Sequence, residues 1–303
     1  AASDVYKRQS MTLAPKFGAD NRPVLDNNFR DGPVRCVVAM PLVIEDELIG
    51  MLIGFNKTTG DFDSVDLKLI NSIGNQSSVF LANNKLYAEL QDLLMGVLHA
   101  LTASIDAKDR YTCGHSQRVA LISRRLAEEC GFDPDRVQRV YLAGLLHDIG
   151  KIGVPESILC KAGKLTDEEY RIIKRHPVMG AKILGGIRQL DDVVVGILNH
   201  HERPDGKGYP AGLKGAEVPI EGLIVGLADC FDSMTSDRTY RKALAMETVQ
   251  EEIRRHRGTQ FDADLVEKLL SWDLEEFMKE LHQPTRRVFP FGAGPEESDE
   301  DNG

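Results

Sequence analysis

Residues 144–155 read GLLHDIGKIGVP, an apolar helix end, Leu145 and Leu146, that runs directly into His147 and Asp148. A polar pair at the buried end of a helix costs free energy unless a partner satisfies it, so the rest of the chain has to supply one. Four other histidines stand in or at the ends of apolar helical runs: His115, His176, and the adjacent His200 and His201. Asp229 lies inside a further apolar run, IEGLIVGLADCFDSMTSDR. Taken singly, each reads as a hydrogen-bonded structural group. Seven such groups on five helices are hard to satisfy pairwise without a cation, because imidazoles and carboxylates are natural ligands of divalent first-row metals. Adjacent residues leave a helix about 100° apart, so Asp148 can offer an oxygen to each of two ions. His176, His200 and His201 could close one site; His115 and Asp229, with His147, could close the other.

The elements around these residues read as a helical bundle. GHSQRVALISRRLAEECGF stops at Gly131 and VQRVYLAGLLHDIG at Gly150, both read as C-terminal caps. Thr166 and Glu169 form a capping box for a helix that runs to His176-Pro177, where the proline marks a break or kink. In LDDVVVGILNHHE, residues Val194, Ile197, Leu198 and His201 fall on one face. METVQEEIRRH and ADLVEKLLSWDLEEFMKEL close the bundle. Upstream, VRCVVAMPLVIEDELIGMLIGFN (34–56) reads as a hairpin turning at Glu45-Asp46-Glu47, and a helix opens between Asp61 and Asp66 with Leu67, Ile70, Ile73 and Ser77 in register. From Val79 to Asp106 there is no proline, and Leu86, Leu90, Leu93, Val97 and Ala100 alternate spacings of four and three. This is a connecting helix, seamed for a parallel dimer or lying singly on its own domain. The fold class is mostly α: a helical bundle preceded by partial α/β material and a connecting helix.

The formal net charge of -10 and a pI near 5.4 argue against a nucleic-acid track or an anionic membrane as partner, so any phosphate site is local. HHERPDGKGYPAGLKG is dense in glycine and proline and reads either as a loop holding Tyr209 near a ligand or as an ordinary surface loop. Arg203, Lys207, Arg238, Arg241 and Lys242 supply a local cationic rim suited to a small anion. Five cysteines without a CxxC pair fit reduced thiols in the cytoplasm. No run reaches the ~18–20 apolar residues that cross a bilayer.

Three stretches, HDIGKIGVPESIL, HHERPDGKGYPAGLKG and LADCFDSMTSDRTYRKAL, together resemble the HD-GYP domain, a subgroup of the HD phosphohydrolases, over roughly residues 93–282. His147 and Asp148 match the HD pair; Gly208, Tyr209 and Pro210 match the GYP triplet. The resemblance implies an HD-type bundle and a metal-dependent phosphodiesterase that uses a metal-activated hydroxide to open cyclic di-GMP to pGpG, in some members continuing to GMP. It makes His115, His147, Asp148 and Asp229 ligands of one metal, with Asp148 bridging to a second held by His176, His200 and His201. Lys151 matches a lysine beside the scissile phosphate, and Arg238 and Arg241 match positions that hold substrate phosphates. Asp232, one helical turn after Asp229, is grouped with the substrate-side residues as a carboxylate able to orient a ligand or Lys151, or as a plain helix-face carboxylate. Tyr111 stands where some members carry a glutamate for a third metal, so two divalent ions are expected: iron or manganese, with zinc or nickel also accepted by a His/Asp set. Leu223 and Pro204 depart from common family residues, which bears on rim contacts and not on the metals.

The phrase MPLVIEDELIGMLIGFNK resembles the second half of a GAF sensory domain. The expected organisation is an artefactual or disordered start (1–10), a partial GAF-like domain (11–85), a connecting helix (86–105), the HD-GYP domain (106–282) and an acidic disordered tail (283–303). Expected partners are cyclic di-GMP, a second copy through the connecting helix, and signalling proteins at the GYP loop. The competing readings are a phosphohydrolase of another cyclic dinucleotide and a non-catalytic cyclic di-GMP receptor.

Overall fold

In VVAMPLVI and ELIGMLIGF, β-branched and other apolar residues dominate two runs separated by a polar turn, and they form strands β2 (Val37–Ile44) and β3 (Glu47–Phe55) as expected. Asp46 occupies the turn at φ 70°. A short strand not foreseen from the sequence, β1 (Met11–Leu13), pairs antiparallel with β2 and completes a sheet of order β1-β2-β3. The computed structural model describes residues 11–13, 34–44, 46–108, 114–161, 163–237 and 242–282.

The two helical stretches expected before and after Val79 are one uninterrupted 45-residue helix, α1 (Ser64–Lys108). Asp63 caps its start, its side chain accepting from the Val65 and Asp66 N–H groups. Lys57 pairs with both Asp63 and Asp66. Val38 and Met40 of β2 are buried, and Met40 lies against Gly74 of α1. The described residues divide into two compact units, one up to residue 92 and the other from residue 93 onward.

The second unit begins with the last turns of α1, where Met95, Leu98 and Ile105 are buried. α2 (His115–Glu129) ends as read, with Gly131 at φ 72°. α3 (Pro134–Leu146) starts at an Asp133 cap but stops short of the expected Gly150. His147 closes α3, and Ile149–Gly153 forms a 3-10 turn. Gly150 is therefore a close-approach residue and not a cap: a Cβ there would lie 1.9 Å from the His176 carbonyl oxygen. After the short α4 (Glu156–Leu159), the Thr166–Glu169 capping box opens α5 (Asp167–Ile173). The His-Pro break starts a separate helix, α6 (His176–Leu184).

α7 (Asp191–Asn199) buries Val193, Gly196 and Ile197, followed by His200, so its inward face is rotated from the expected Val194, Ile197, Leu198 and His201. Packing decides this: Gly196 faces α3, where a Cβ would meet the Ala143 Cβ at 2.7 Å, so the glycine side of α7 turns inward. α8 (Ile220–Thr235) carries the fully buried Ile224, Leu227 and Phe231, each contributing about 1.5–3 kcal/mol by burial, and packs on α2, α3 and α7. α9 (Met246–Arg255) follows. The last expected helix is two, α10 (Ala263–Leu270) and α11 (Leu274–His282), because Asp273 accepts from Glu276 N–H and starts a new turn. Among the described residues no helix is long and apolar enough to cross a membrane.

Candidate metal centre

Three histidines of the second unit are presented by the same local device. His147 follows the last residue of α3, His176 opens α6 one turn beyond α5, and His200 follows the last residue of α7. In each, Nδ1 donates to the carbonyl three residues earlier: His147 to Gly144 at 2.7 Å, His176 to Ile173 at 2.9 Å and His200 to Ile197 at 2.7 Å. A carbonyl can only accept, so Nδ1 carries a proton in each ring, and Nε2 is the atom left to face a partner. A fourth ring, His115 at the start of α2, donates Nδ1–H to Asp232 at 2.7 Å and turns Nε2 toward Asp229 at 3.1 Å.

These rings form one contiguous cluster, with neighbouring centroids 5.4 Å apart for His115 and His147, 5.1 Å for His147 and His200, and 5.2 Å for His176 and His200. His201 packs on His200 at 4.0 Å and on Tyr209 at 4.6 Å. Asp148 stands between the groups. One oxygen faces His147 Nε2 at 3.2 Å and Lys151 Nζ at 2.7 Å, and the other faces His176 Nε2 at 3.3 Å. The Gly150 contact brings this about, since it lets the 3-10 turn lie against the first turn of α6.

The electrostatics follow from burial and these neighbours. Burial alone would raise Asp148, yet His147, Lys151 and His176 hold it well below the usual carboxylate range. Asp229 is likewise held low, chiefly by His115 against the opposing effect of burial. Burial opposes charge on His115, but its hydrogen bonds to Asp229 and Asp232 outweigh that and push it up to about 10. Burial dominates on the other side: it lowers His176, lowers His200 strongly and brings His201 to about 4.

Two features fit a cation. His176 Nε2 and His200 Nε2 face each other at 3.2 Å with both Nδ1 positions already donating and both rings favoured neutral. Two lone pairs at that distance repel unless they share a positive charge, and 3.2 Å is the separation of two nitrogens each ~2.1 Å from one ion. His147 Nε2 is buried and makes no well-aligned hydrogen bond, its neighbour being the Asp148 carboxylate at 3.2 Å. The ligand atoms of His176, His200 and His201 lie within 4.8 Å of one another, as do those of His115, His147 and Asp148, so the residues present can hold two ions.

Other residues singled out in the sequence divide. Asp232 is buried and engaged by His115 and by Arg118, whose Nε lies at 2.6 Å, so its carboxylate orients the His115 ring. Tyr209 lies against the cluster and shares a wall with His200 and His201 in a cavity of about 270 Å³ lined by the cations Lys174, Arg203 and Lys207 and by the carboxylate Glu202. Arg238, Arg241 and Tyr111 lie outside the described residues.

Two supporting residues escaped the sequence reading. Arg118 sits one turn after His115 on α2, a spacing that could have flagged it. Glu202, directly after the histidine pair and 3% exposed, accepts from the Ala211, Gly212 and Leu213 N–H groups at 2.6, 3.0 and 3.0 Å and so fastens the loop that carries Tyr209.

Comparison with known proteins places this geometry in context. The HD domain matches residues 100–265. A cyclic di-GMP phosphodiesterase of Thermotoga maritima is 42% identical over 193 residues, covering 62% of this chain and 52% of that protein. A 3′3′-cGAMP-specific phosphodiesterase of Vibrio cholerae is 34% identical over 226 residues, covering 74% of this chain and 43% of that protein. A cyclic di-GMP phosphodiesterase response regulator of Xanthomonas campestris is 38% identical over 185 residues, 60% of this chain and 49% of that protein. The chain spans about half the length of the curated relatives it matches.

Proposed function

The chain belongs to the HD domain family, and from that membership we propose that it is a metal-dependent phosphodiesterase opening cyclic di-GMP to linear pGpG, with GMP as the product of any second cleavage. One observation carries the reading: a buried carboxylate, Asp148, directs its two oxygens toward two groups of imidazoles whose Nε2 atoms turn inward. His115, His147, Asp148 and Asp229 would hold one ion, and Asp148 with His176, His200 and His201 the other. Iron or manganese are the first candidates and zinc or nickel the next. Two such ions, when bound, lower the pKa of a shared water and neutralise charge developing on the phosphoryl oxygens. Asp148 keeps both groups in register. Lys151, an ammonium 2.7 Å from Asp148, adds positive charge where the phosphate would lie. Tyr209 shapes the wall beside His201, while Arg238 and Arg241 would engage substrate phosphates.

In this reading Gly208, Tyr209 and Pro210 assign the chain to the HD-GYP subgroup, with the loop they occupy offering a surface to signalling proteins. Residues 106–282 form the catalytic domain, 86–105 the connecting helix and 11–85 a partial GAF-like unit; 1–10 and 283–303 stand outside these. Leu86, Leu90, Leu93 and Val97 are all exposed on α1, which suits a parallel pairing with a second copy in the cytoplasm. A second substrate, 3′3′-cGAMP, is favoured by the specificity of the Vibrio cholerae relative.

The test is one anaerobically purified sample carried through elemental analysis and product identification with cyclic di-GMP, 3′3′-cGAMP and a simple phosphodiester. Two equivalents of metal and pGpG from cyclic di-GMP are expected. Preferential turnover of 3′3′-cGAMP would transfer the assignment to that substrate. Tight binding of cyclic di-GMP without turnover in metal-replete protein would make the chain a receptor.

A further inference from the structure

α2 presents His115 from its first turn, where Gly114 stands at the cap position and has no side chain to offer the free N–H groups. Unsatisfied N–H groups at a buried helix start are costly, and a carboxylate there is favoured by the helix dipole as well as by hydrogen bonding. The acceptor comes from α1. Asp106 Oδ1 accepts from Ser116 Oγ at 2.8 Å, and Asp106 Oδ2 accepts from Ser116 N–H at 3.4 Å. Asp106 and Ser116 are 7% and 3% exposed, so little water is at hand to take over these bonds.

We propose that Asp106 is a positioning residue for the metal centre: by capping α2 from α1, it fixes the backbone of the turn that carries His115. The proposal rests on the reading of His115 as a metal ligand. Asp232 orients the His115 ring through Nδ1, but a ring is only as well placed as its Cα, and the Cα belongs to the turn that Asp106 ties down. The tolerance is small, because a 2.8 Å hydrogen bond is lost beyond 3.5 Å and a shift of about 0.7 Å at the end of α1 suffices.

The same segment of α1 is anchored on the other side of this link. Met95, Leu98, Thr102 and Ile105, spaced three and four apart, are buried in the second unit and lead to Asp106. The group of His176, His200 and His201 stands on α6 and the end of α7, elements that Asp106 does not touch through Ser116. The effect of losing Asp106 is therefore expected first at the ion site that includes His115.

The experiment is an equilibrium titration of the full metal-free chain with Mn²⁺ alone, for the natural sequence, Asp106→Ala and Asp106→Asn, with amide exchange followed on the metal-free proteins. The natural chain is expected to bind two ions. Asp106→Ala should weaken one site by 10–100-fold while leaving the other unchanged, and amide exchange at residues 116–118 should rise at least tenfold. Asp106→Asn, which keeps an acceptor for Ser116 Oγ, should fall between the two. Two sites of natural affinity in Asp106→Ala would overturn the proposal, and so would joint weakening of both sites with a general rise in exchange, the mark of a merely structural role. Failure of the natural chain to bind Mn²⁺ would overturn the underlying metal reading, and this proposal with it.

Discussion

Removing the Glu202 carboxylate should loosen one loop and lower the melting point by an amount that the structure sets. Glu202 accepts three backbone N–H groups, from Ala211, Gly212 and Leu213. Hydrogen bonds to a charged group contribute about 1.5–3 kcal/mol each where the donor stays dry. Ala211 and Gly212 are exposed and would be rehydrated in Glu202→Ala, whereas Leu213 is half-buried. One bond therefore counts nearly in full and two in small part, for a loss of about 2–4 kcal/mol. For a domain of 150–250 residues each kcal/mol moves the midpoint by roughly 2–4 °C, so a fall of about 4–16 °C is expected. Glu202→Gln keeps one acceptor and should lose about half as much. The assay is calorimetry of the metal-free chain with amide exchange read at residues 211–213. The loop also carries Tyr209, whose N–H donates to the His201 carbonyl at 3.1 Å, so exchange at Tyr209 should rise as well. A midpoint within 1 °C of the natural chain, with exchange at 211–213 unchanged, would show that these three bonds do not hold the loop.

Asp148→Ala should abolish binding of both ions and all turnover, since its oxygens face both imidazole groups; elemental analysis showing one retained ion would limit Asp148 to a single site. Asp232→Asn should weaken metal binding at the His115 site by about 10–100-fold and leave the other site intact, because the carboxylate fixes the His115 tautomer; unchanged affinity in a metal titration would count against that role. In the metal-stripped chain, burial keeps His176, His200 and His201 below the ordinary imidazole value, His201 at about 4. Between about 6.5 and 4 the unfolded chain then binds more protons than the folded one, so stability should climb as pH rises through that window. His115 acts in the opposite sense: with a folded value of about 10, its contribution is complete below about 6.5 and is lost as pH rises toward 10. The melting point should therefore increase from pH 4.5 to 6.5 and fall above pH 8, and a flat profile from 4.5 to 6.5 would refute the neutral-histidine assignment.

Local chemistry made much of this protein legible in one dimension. The β2–β3 hairpin, the Gly131 stop, the Thr166–Glu169 capping box and the break at His176-Pro177 depend on residues within a few positions of one another, and all were read from the sequence. So were the histidines at apolar helix ends, because a buried polar group beside leucines announces a missing partner. Long-range packing decided the rest. The inward face of α7 was set by the contact of Gly196 with Ala143, and Gly150 was claimed by the His176 carbonyl and not by the end of α3. The Asp232–His115 bond joins residues 117 positions apart, and no periodicity announces a pairing of that separation. Side-chain type and short-range spacing thus determined which groups needed a charge partner. Which atom faces which was decided by the packing of helices far apart in the chain, because a hydrogen bond depends on distances of a few tenths of an ångström and sequence spacing carries no such distance between separate elements.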